Sequence, residues 1–265
     1  MESNTSKQAH VDDSSHRRTI ISYNVMMDSI DLHERMDEIV NALIKESPDV
    51  ILLQEVVDKC LSTFVDKLMD NGYVTDGDFA ATVRRHRYDT MIFAKKDMRI
   101  DYRYIPYKMS HMERGIMIAC ETLDDGTVVT YATTHLDSFQ TPQFDAIRRS
   151  ETDVMCTEMV QYERFVMGMD ANTESLVDIG RDCIDLWLDE SKTNPDACAT
   201  WFSERFIKNI PAQRRRYDRM IVKGLVVLHK RLLNWPWSDH APMACTIETH
   251  RRIRDSTMFE SHPST

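Results

Sequence analysis

A mixed α/β fold, with two sheets packed face to face and helices outside, is what this 265-residue sequence predicts. Three observations predict it. Near the N-terminus, short strand-like apolar runs alternate with amphipathic helical patterns, and the run at 49–56 is continuous enough for a strand buried on both faces. From residue 88 onward the apolar pattern changes to period two, with a hairpin signal at Asp124-Asp125-Gly126. Helical patterns then recur between the later strands, and hairpins interleaved with helices suggest sheet-on-sheet packing with the helices on the outer faces.

The elements follow in order. Residues 1–17 are polar and are expected to be disordered. Arg18–Val25 is rich in β-branched residues and reads as a strand ending at Asn24, with Asp28 or Ser29 placed to cap the next element. Leu32, Met36, Ile39, Val40, Leu43 and Ile44 fall at helical spacing, so a helix is predicted over 30–46, stopped by Ser47-Pro48. Asp49–Val56 is the buried strand, ending in Gln54-Glu55. Leu61, Phe64, Val65 and Leu68 mark a second helix that Asn71-Gly72 closes. Tyr88–Ala94 reads as a strand. Gly115–Leu123 and Thr127–Thr134 form the hairpin, its second strand running into His135. Phe144, Ile147, Val154 and Met155 predict a helix within 143–163, and Arg164–Met169 a strand that delivers Asp170 and Asn172. Residues 174–200 are mixed, with a short helix expected around Ile184–Leu188 and an extended piece at Ala199-Thr200-Trp201. Arg216–Val222, Leu225–Leu228 and 241–248 complete the strands, the last preceded by the loop Ser238-Asp239-His240. Residues 18–249 thus read as one domain and 250–265 as a polar tail.

Composition narrows the function classes. A net charge of −10 argues against a broad nucleic-acid-binding face, while leaving room for a local basic cleft or a metal that attracts phosphate. Arg84-Arg85-His86-Arg87 and Arg214-Arg215-Arg216 are the dense basic clusters, either phosphate contacts or a solvated face. The six cysteines make no C-x-x-C pair, so buried free thiols and a reducing, intracellular compartment, nuclear or cytoplasmic, are expected. The first residues lack the apolar core of a secretory signal, and no apolar run approaches the ~18 residues a membrane span needs.

Five strands end in polar residues after apolar runs: Asn24, Glu55, His135, Asp170 with Asn172, and Asp239-His240. Strand ends that converge at one edge of a sandwich carry function on their loops. A carboxylate with amide oxygens makes a hard oxygen site suited to Mg²⁺, and no Cys/His cluster has zinc spacing. His and Asn can donate to phosphoryl oxygens, and a second Asp can activate water.

The strings Ser22-Tyr23-Asn24, Leu53-Gln54-Glu55-Val56, Thr134-His135-Leu136-Asp137-Ser138, Met169-Asp170-Ala171-Asn172 and Ser238-Asp239-His240 resemble, in order, the motifs of the endonuclease/exonuclease/phosphatase superfamily. Thr200-Trp201 and Arg216-Tyr217-Asp218-Arg219-Met220 are most similar to its tyrosyl-DNA phosphodiesterase branch. Two departures stand out: Tyr23 replaces the family's Trp, and the Gly of Gly-Asp-x-Asn is displaced to Gly168.

The resemblance implies a four-layer α/β sandwich of two mixed sheets flanked by helices, of the DNase-I-like type. It implies a Mg²⁺-dependent phosphodiesterase (Mn²⁺ a possible substitute) acting as a monomer on single-stranded or frayed 5′ DNA ends that carry a tyrosine-linked peptide. Another phosphoesterase of the superfamily, such as an abasic or DNase-like endonuclease, a deadenylase or an inositol-phosphate phosphatase, is the alternative. Glu55 would be the principal metal ligand, with Asn24 beside the metal and Asp239 reaching it through water or only orienting its loop. Asp170 would orient or deprotonate the attacking water and Asn172 hold water or phosphate. His135 and His240 would stabilise phosphoryl charge. Asp218 would fix the His240 ring, or alternatively pair with Arg216 or Arg219. Trp201, Ser138, Arg114 and Tyr23 would line the substrate, Trp201 stacking on a base or sitting in the core.

Overall fold

The computed structural model describes residues 17–28, 30–77, 88–175, 177, 179–206 and 211–249. Residues 1–16 of the expected disordered segment, the tail, a cap at Ser29 and the basic cluster 84–87 lie outside the described residues, while Arg17 is not disordered but opens the first strand, paired with Glu248.

The chain runs β1 (Arg17–Asn24), α1 (Leu32–Glu46), β2 (Val50–Val57), α2 (Asp58–Asp70), β3 (Tyr73–Val74), β4 (Tyr88–Lys95), β5 (Ile100–Pro106), β6 (Gly115–Thr122), β7 (Val128–His135) and α3 (Pro142–Met159). It continues through β8 (Phe165–Asp170), β9 (Cys183–Asp185), α4 (Leu188–Thr193), β10 (Trp201–Phe202), β11 (Arg214–Arg215), β12 (Asp218–Lys223), β13 (Val226–Leu232) and β14 (Met243–Glu248). One sheet has the order β13-β14-β1-β2-β4-β3, the other β5-β6-β7-β8-β12-β9, and β10 pairs β11 in a small ribbon. Both large sheets are mixed: β1 and β2 are parallel, as are β7 and β8, while the other pairs are antiparallel.

Alternation along each strand separates the layers. On β6, Met117 and Ala119 face the first sheet, whereas Ile116 and Ile118 face outward with Met155 and Met159 of α3. The inter-sheet core is formed by β1, β2 and β4 against β6, β7 and β8, and the buried stripes of α1 and α2 cover the outer face of the first sheet. The four-layer sandwich is therefore helices, sheet, sheet, helix, as expected. All six cysteines are free thiols, with Cys60, Cys198 and Cys245 buried. Among the described residues no helix is long and apolar enough to cross a membrane.

Several elements differ from the sequence reading, among them the short strands β3 and β11, which it does not contain. The helix expected around Ile184–Leu188 is instead the edge strand β9, paired to β12 through Ile184 and Asp185, and the helix begins only at Leu188. Two residues of Ile-Asp alternation against a neighbouring strand outweigh the weak local helical pattern. The edge strand β5 carries alternating Asp101 and Arg103, a polar pattern from which the sequence predicts no strand. β13 extends past Leu228 to Leu232 through His229, Lys230 and Arg231, with a bulge between Val227 and His229, which is how polar edge strands discourage further pairing.

Candidate active site

Two parallel pairs set the site. β1 and β2 run side by side, with Asn24 opposite Gln54, so their C-terminal ends emerge together. β7 and β8 do the same with His135 opposite Asp170, and antiparallel β12 places Asp218 on the other side of Asp170. Asp170 is thus flanked by His135 and Asp218 on adjacent strands, about 4.8 Å apart in the sheet. The loop before β14 is held to the 200–202 segment by Phe202 N–H donating to Asp239 O (2.8 Å) and Ala241 N–H donating to Thr200 O (2.7 Å). These bonds bring His240 to the same edge.

Glu55 reaches the site through a bulge. Leu53 lies opposite Met91 but Val56 opposite Asp89, so two residues of β2 face one of β4. Glu55 itself has φ +61°, a left-handed conformation that a non-glycine residue adopts at a cost. The bulge re-aims its carboxylate towards β1. There Oε1 accepts from Asn24 Nδ2 (3.1 Å) and Oε2 from the Met27 N–H (2.8 Å).

Asp170 is the centre. Its Oδ2 accepts from Asn24 Nδ2 (2.8 Å) and stands 3.3 Å from His135 Nε2 and 3.6 Å from His240 Nε2. Its Oδ1 accepts the Asn172 N–H (2.9 Å) in an Asx turn, and Asn172 takes φ +49°. The Asn172 amide lies 2.8 Å from His135 Nε2 and donates to Leu136 O. Behind His240, Asp218 Oδ2 is 2.7 Å from Nδ1, and the Asp218 N–H donates to Thr200 Oγ1 (3.0 Å). Ser238 Oγ donates to Asn24 O (2.7 Å) and accepts from His240 N–H (3.1 Å), closing the ring of loops.

The charges follow from these contacts. Burial works against the ionised Asp170, but His135 and His240 outweigh it and hold the carboxyl well below the usual carboxylate range. Burial likewise opposes Glu55, and His135, the Met27 N–H and Asn24 together lower it. Burial would deprotonate His240; Asp218, Asp239 and Asp170 overcome it and raise its pKa well above the ordinary value. Asp218 and Asp239 are both pushed up, chiefly by burial, with His240 opposing.

Glu55, His135 and Asp170 present ligand atoms within 4.8 Å of one another, and Asp170, Asp218 and His240 form a second such group. An oxygen-rich cluster with two adjacent carboxylates suits a hard divalent cation. Asn24 turns Nδ2 to both carboxylates, while its Oδ1 accepts the Met26 N–H (3.0 Å).

The remaining predicted residues divide. Asp239 stands outside both ligand groups; its Oδ2 accepts the Trp201 indole N–H at 2.8 Å. Trp201 is half-buried, not a plain core residue, and its ring lies 5.4 Å from that of Tyr217. Asp218 pairs with His240, whereas Arg216 and Arg219 both pair with Asp185. Ser138 is half-buried against Met112. Tyr23 and Arg114 do not reach the open side of the site. Tyr23 is 1% exposed and packs edge-on to Trp235, and the Arg114 guanidinium donates to Leu136 O, supporting the segment that carries His135. Of the basic cluster 214–216, Arg214 pairs with Glu204 and Arg215 with Glu174, so these cations are balanced by carboxylates. Sequence reasoning missed the Met27 N–H, Arg35 and Arg205. Only Arg35 left a signal, a charge between Leu32 and Met36 on the apolar face of α1.

Comparison with known proteins places this geometry in context. Residues 21–240 match the Endonuclease/Exonuclease/phosphatase family. Tyrosyl-DNA phosphodiesterase 2 of Xenopus laevis is 23% identical over 236 residues, which cover 84% of this chain and 60% of that protein. Among solved structures, TDP2 from C. elegans superposes with a TM-score of 0.73 at 21% identity, over 88% of this chain and 75% of that one. D. rerio TDP2 complexed with single strand DNA product gives 0.73 at 22%, over 88% and 99%. The human Nocturnin catalytic domain with bound sulfate anion gives 0.65 at 16%, over 88% and 93%. At these identities the structural likenesses establish the shared four-layer sandwich.

Proposed function

The chain belongs to the endonuclease/exonuclease/phosphatase family, and from that premise we propose that it is a Mg²⁺-dependent phosphodiesterase that hydrolyses 5′-phosphotyrosyl bonds between a protein tyrosine and DNA ends. The observation that carries this reading is the Asp170 carboxylate shared by Asn24, His135 and His240, with His240 backed by Asp218. The relative named for tyrosyl-DNA and the structure holding a single-strand DNA product support the choice of substrate.

Glu55 would hold the cation with Asp170 beside it, and Mn²⁺ would be accepted by the same oxygens. When bound, the cation supplies positive charge to the phosphoryl oxygens. The protein's own groups do the rest. Water attacks phosphorus as the bond to the phenolic oxygen breaks. Asp170, held ionised, orients that water by accepting from it, and the proton the water loses on attack passes by way of Asp170 to solvent. The cationic His240 donates to the developing charge on the phosphoryl oxygens, and the Asn172 amide holds the His135 ring beside Asp170. A phenol of pKa near 10 leaves as its anion more readily than an alkoxide. Trp201, half-buried beside the tilted ring of Tyr217, would offer a face to a base of the strand.

The test is chelator-sensitive hydrolysis of 4-nitrophenyl thymidine phosphate, followed by a panel of 5′-tyrosyl oligonucleotide, abasic duplex, poly(A) and inositol phosphate. Asp170→Asn and His240→Ala are expected to lose about 10²–10³ in kcat while staying folded. Wild-type turnover in either variant would sink the mechanism, and preference for another member of the panel would reassign the substrate.

A further inference from the structure

A buried cation, Arg35, and a half-buried one, Arg205, which the proposed chemistry does not use, lie beneath the site. Arg35 is 5% exposed on the inner face of α1, where the pattern calls for an apolar side chain. Its guanidinium donates to five backbone carbonyls. Nε reaches Ile30 O (2.8 Å), Nη1 reaches Val25 O (3.1 Å) and Trp237 O (2.8 Å), and Nη2 reaches Met26 O (3.0 Å) and Asp28 O (2.7 Å). Arg205 approaches the second of these loops independently. Its Nη1 lies 2.9 Å from Trp235 O, 3.1 Å from Ser238 O and 2.7 Å from His240 O, and its Nη2 lies 3.4 Å from Asn234 Oδ1. All these acceptors are neutral. Arg35 also stands over the Phe206 ring (5.3 Å) and Arg205 over Phe202 (4.3 Å), tying both to the segment after Trp201.

A guanidinium held by carbonyls forgoes the attraction of a carboxylate and keeps only its geometry: five donors in one rigid plane. Here that plane gathers two loops that share no secondary-structure element. On one side, fixing Val25 and Met26 aims the Met27 N–H at Glu55 and the Met26 N–H at Asn24. On the other, fixing Trp237, Ser238 and His240 seats Ser238 Oγ on Asn24 O and the His240 ring on Asp218.

We propose that Arg35 is a positioning residue that locks the loop after β1 to the loop before β14, with Arg205 bracing the second loop, and so holds Glu55 and His240 in register at one edge of their common sheet. The activity arm of the test rests on the phosphodiesterase reading; the exchange arm does not. Full-length Arg35→Gln, Arg35→Lys, Arg205→Gln and Arg205→Lys would be compared with Arg231→Gln, an exposed cation paired to Glu46. Amide hydrogen exchange is read over residues 25–30 and 235–241, and kcat and KM with 4-nitrophenyl thymidine phosphate well below the melting temperature. Arg35→Gln is expected to speed exchange roughly tenfold in both loops, including the distant 235–241 segment. It is expected to lower kcat by about ten- to a hundredfold with KM within about twofold. Lysine restores neither, because a point ammonium cannot span carbonyls of two loops. Loosening confined to the loop nearest the substitution, rescue by lysine, or a lower melting temperature with unchanged kcat and exchange would each overturn the proposal. A wild-type protein without turnover defeats the phosphodiesterase reading and leaves the exchange result to decide the lock. Should Arg35→Gln not fold, Arg35→Lys, read by the same exchange and kcat, decides it.

Discussion

Asp218 opens β12 of one sheet and His240 lies in the loop before β14 of the other, and at 2.7 Å their pairing sets the ring's charge. The sequence left Asp218 open between His240 and the flanking arginines. Asp185, an edge-strand residue with no motif around it, takes both arginines and so settles the pairing. The same kind of distant partner fixes Asp239, whose carboxylate is committed to the Trp201 indole. Residue types at strand ends were legible because motif order survives in the chain; hydrogen-bond partners were not, because they depend on which strands become neighbours. Burial lowers the His240 pKa, and Asp218, the largest of the opposing anions, raises it with Asp239 and Asp170. Removing one anion therefore drops the pKa, and the cation is lost earlier as pH rises. Asp218→Asn is expected to move the alkaline limb of the kcat–pH profile to lower pH by roughly one unit or more. An unmoved limb in a folded variant would show that His240 does not act as the cation.

At the scale of elements, α3 carries a carboxyl where its pattern promises only packing. Glu151 is 1% exposed against sheet β5–β9, and its Oε2 accepts the Asp137 N–H at 2.9 Å. The Asp137 carboxylate in turn accepts Ser110 Oγ (2.7 Å) and the His111 N–H (3.0 Å), and Arg148 donates to Asp137 O (2.7 Å). Burial pushes the Glu151 carboxyl from 4.5 up to about 7, the Asp137 N–H opposing and the Asp137 carboxylate adding to the rise. A folded pKa above the unfolded one means that the native state holds the proton more tightly. The stabilisation is complete below the unfolded value and is lost as pH rises through about 7. Relative to Glu151→Gln, wild type is expected to lose up to about 3 kcal/mol between pH 5 and pH 8 in urea unfolding. A gap between the two proteins that does not change with pH would show that Glu151 titrates normally. The helix was legible from Ile147 and Met155, but its buried Arg148 and Glu151 look in sequence like solvent-facing charges. The same limit applies to β2, whose apolar run announces a strand while the bulge at Gln54-Glu55 becomes visible only when β4 is laid beside it.

For the molecule as a whole, the site works only if two sheets meet at one separation, and Gly168 controls that approach. It lies on β8 two residues before Asp170, facing Ser22 on β1 of the other sheet. A Cβ at this position would stand 2.2 Å from Ser22 Oγ, 2.4 Å from Ser22 Cβ and 3.1 Å from Leu52 Cδ1. The neighbouring inter-sheet contact is polar: Gln54 Nε2 donates to Thr133 Oγ1 (2.8 Å) and Ser22 Oγ (3.2 Å). The face-to-face arrangement could be read from the change of period along the chain. A glycine displaced from the usual motif position gave no hint of why, because its reason is the side chain of another sheet. Gly168→Ala must push β8 from β1 or rotate Ser22 off Gln54, costing about 1–3 kcal/mol of stability. Since Asn24 and Asp170 end those same two strands and meet at 2.8 Å, the displacement should also reach the site and lower kcat. Ser22→Gly removes the clashing atoms, so the double variant should recover both melting temperature and kcat beyond what the separate effects predict. Additive losses in that cycle, measured by urea unfolding and by turnover of the aryl diester, would show that the sheets are not held apart at this point and that the spacing of Asn24 and Asp170 is set elsewhere.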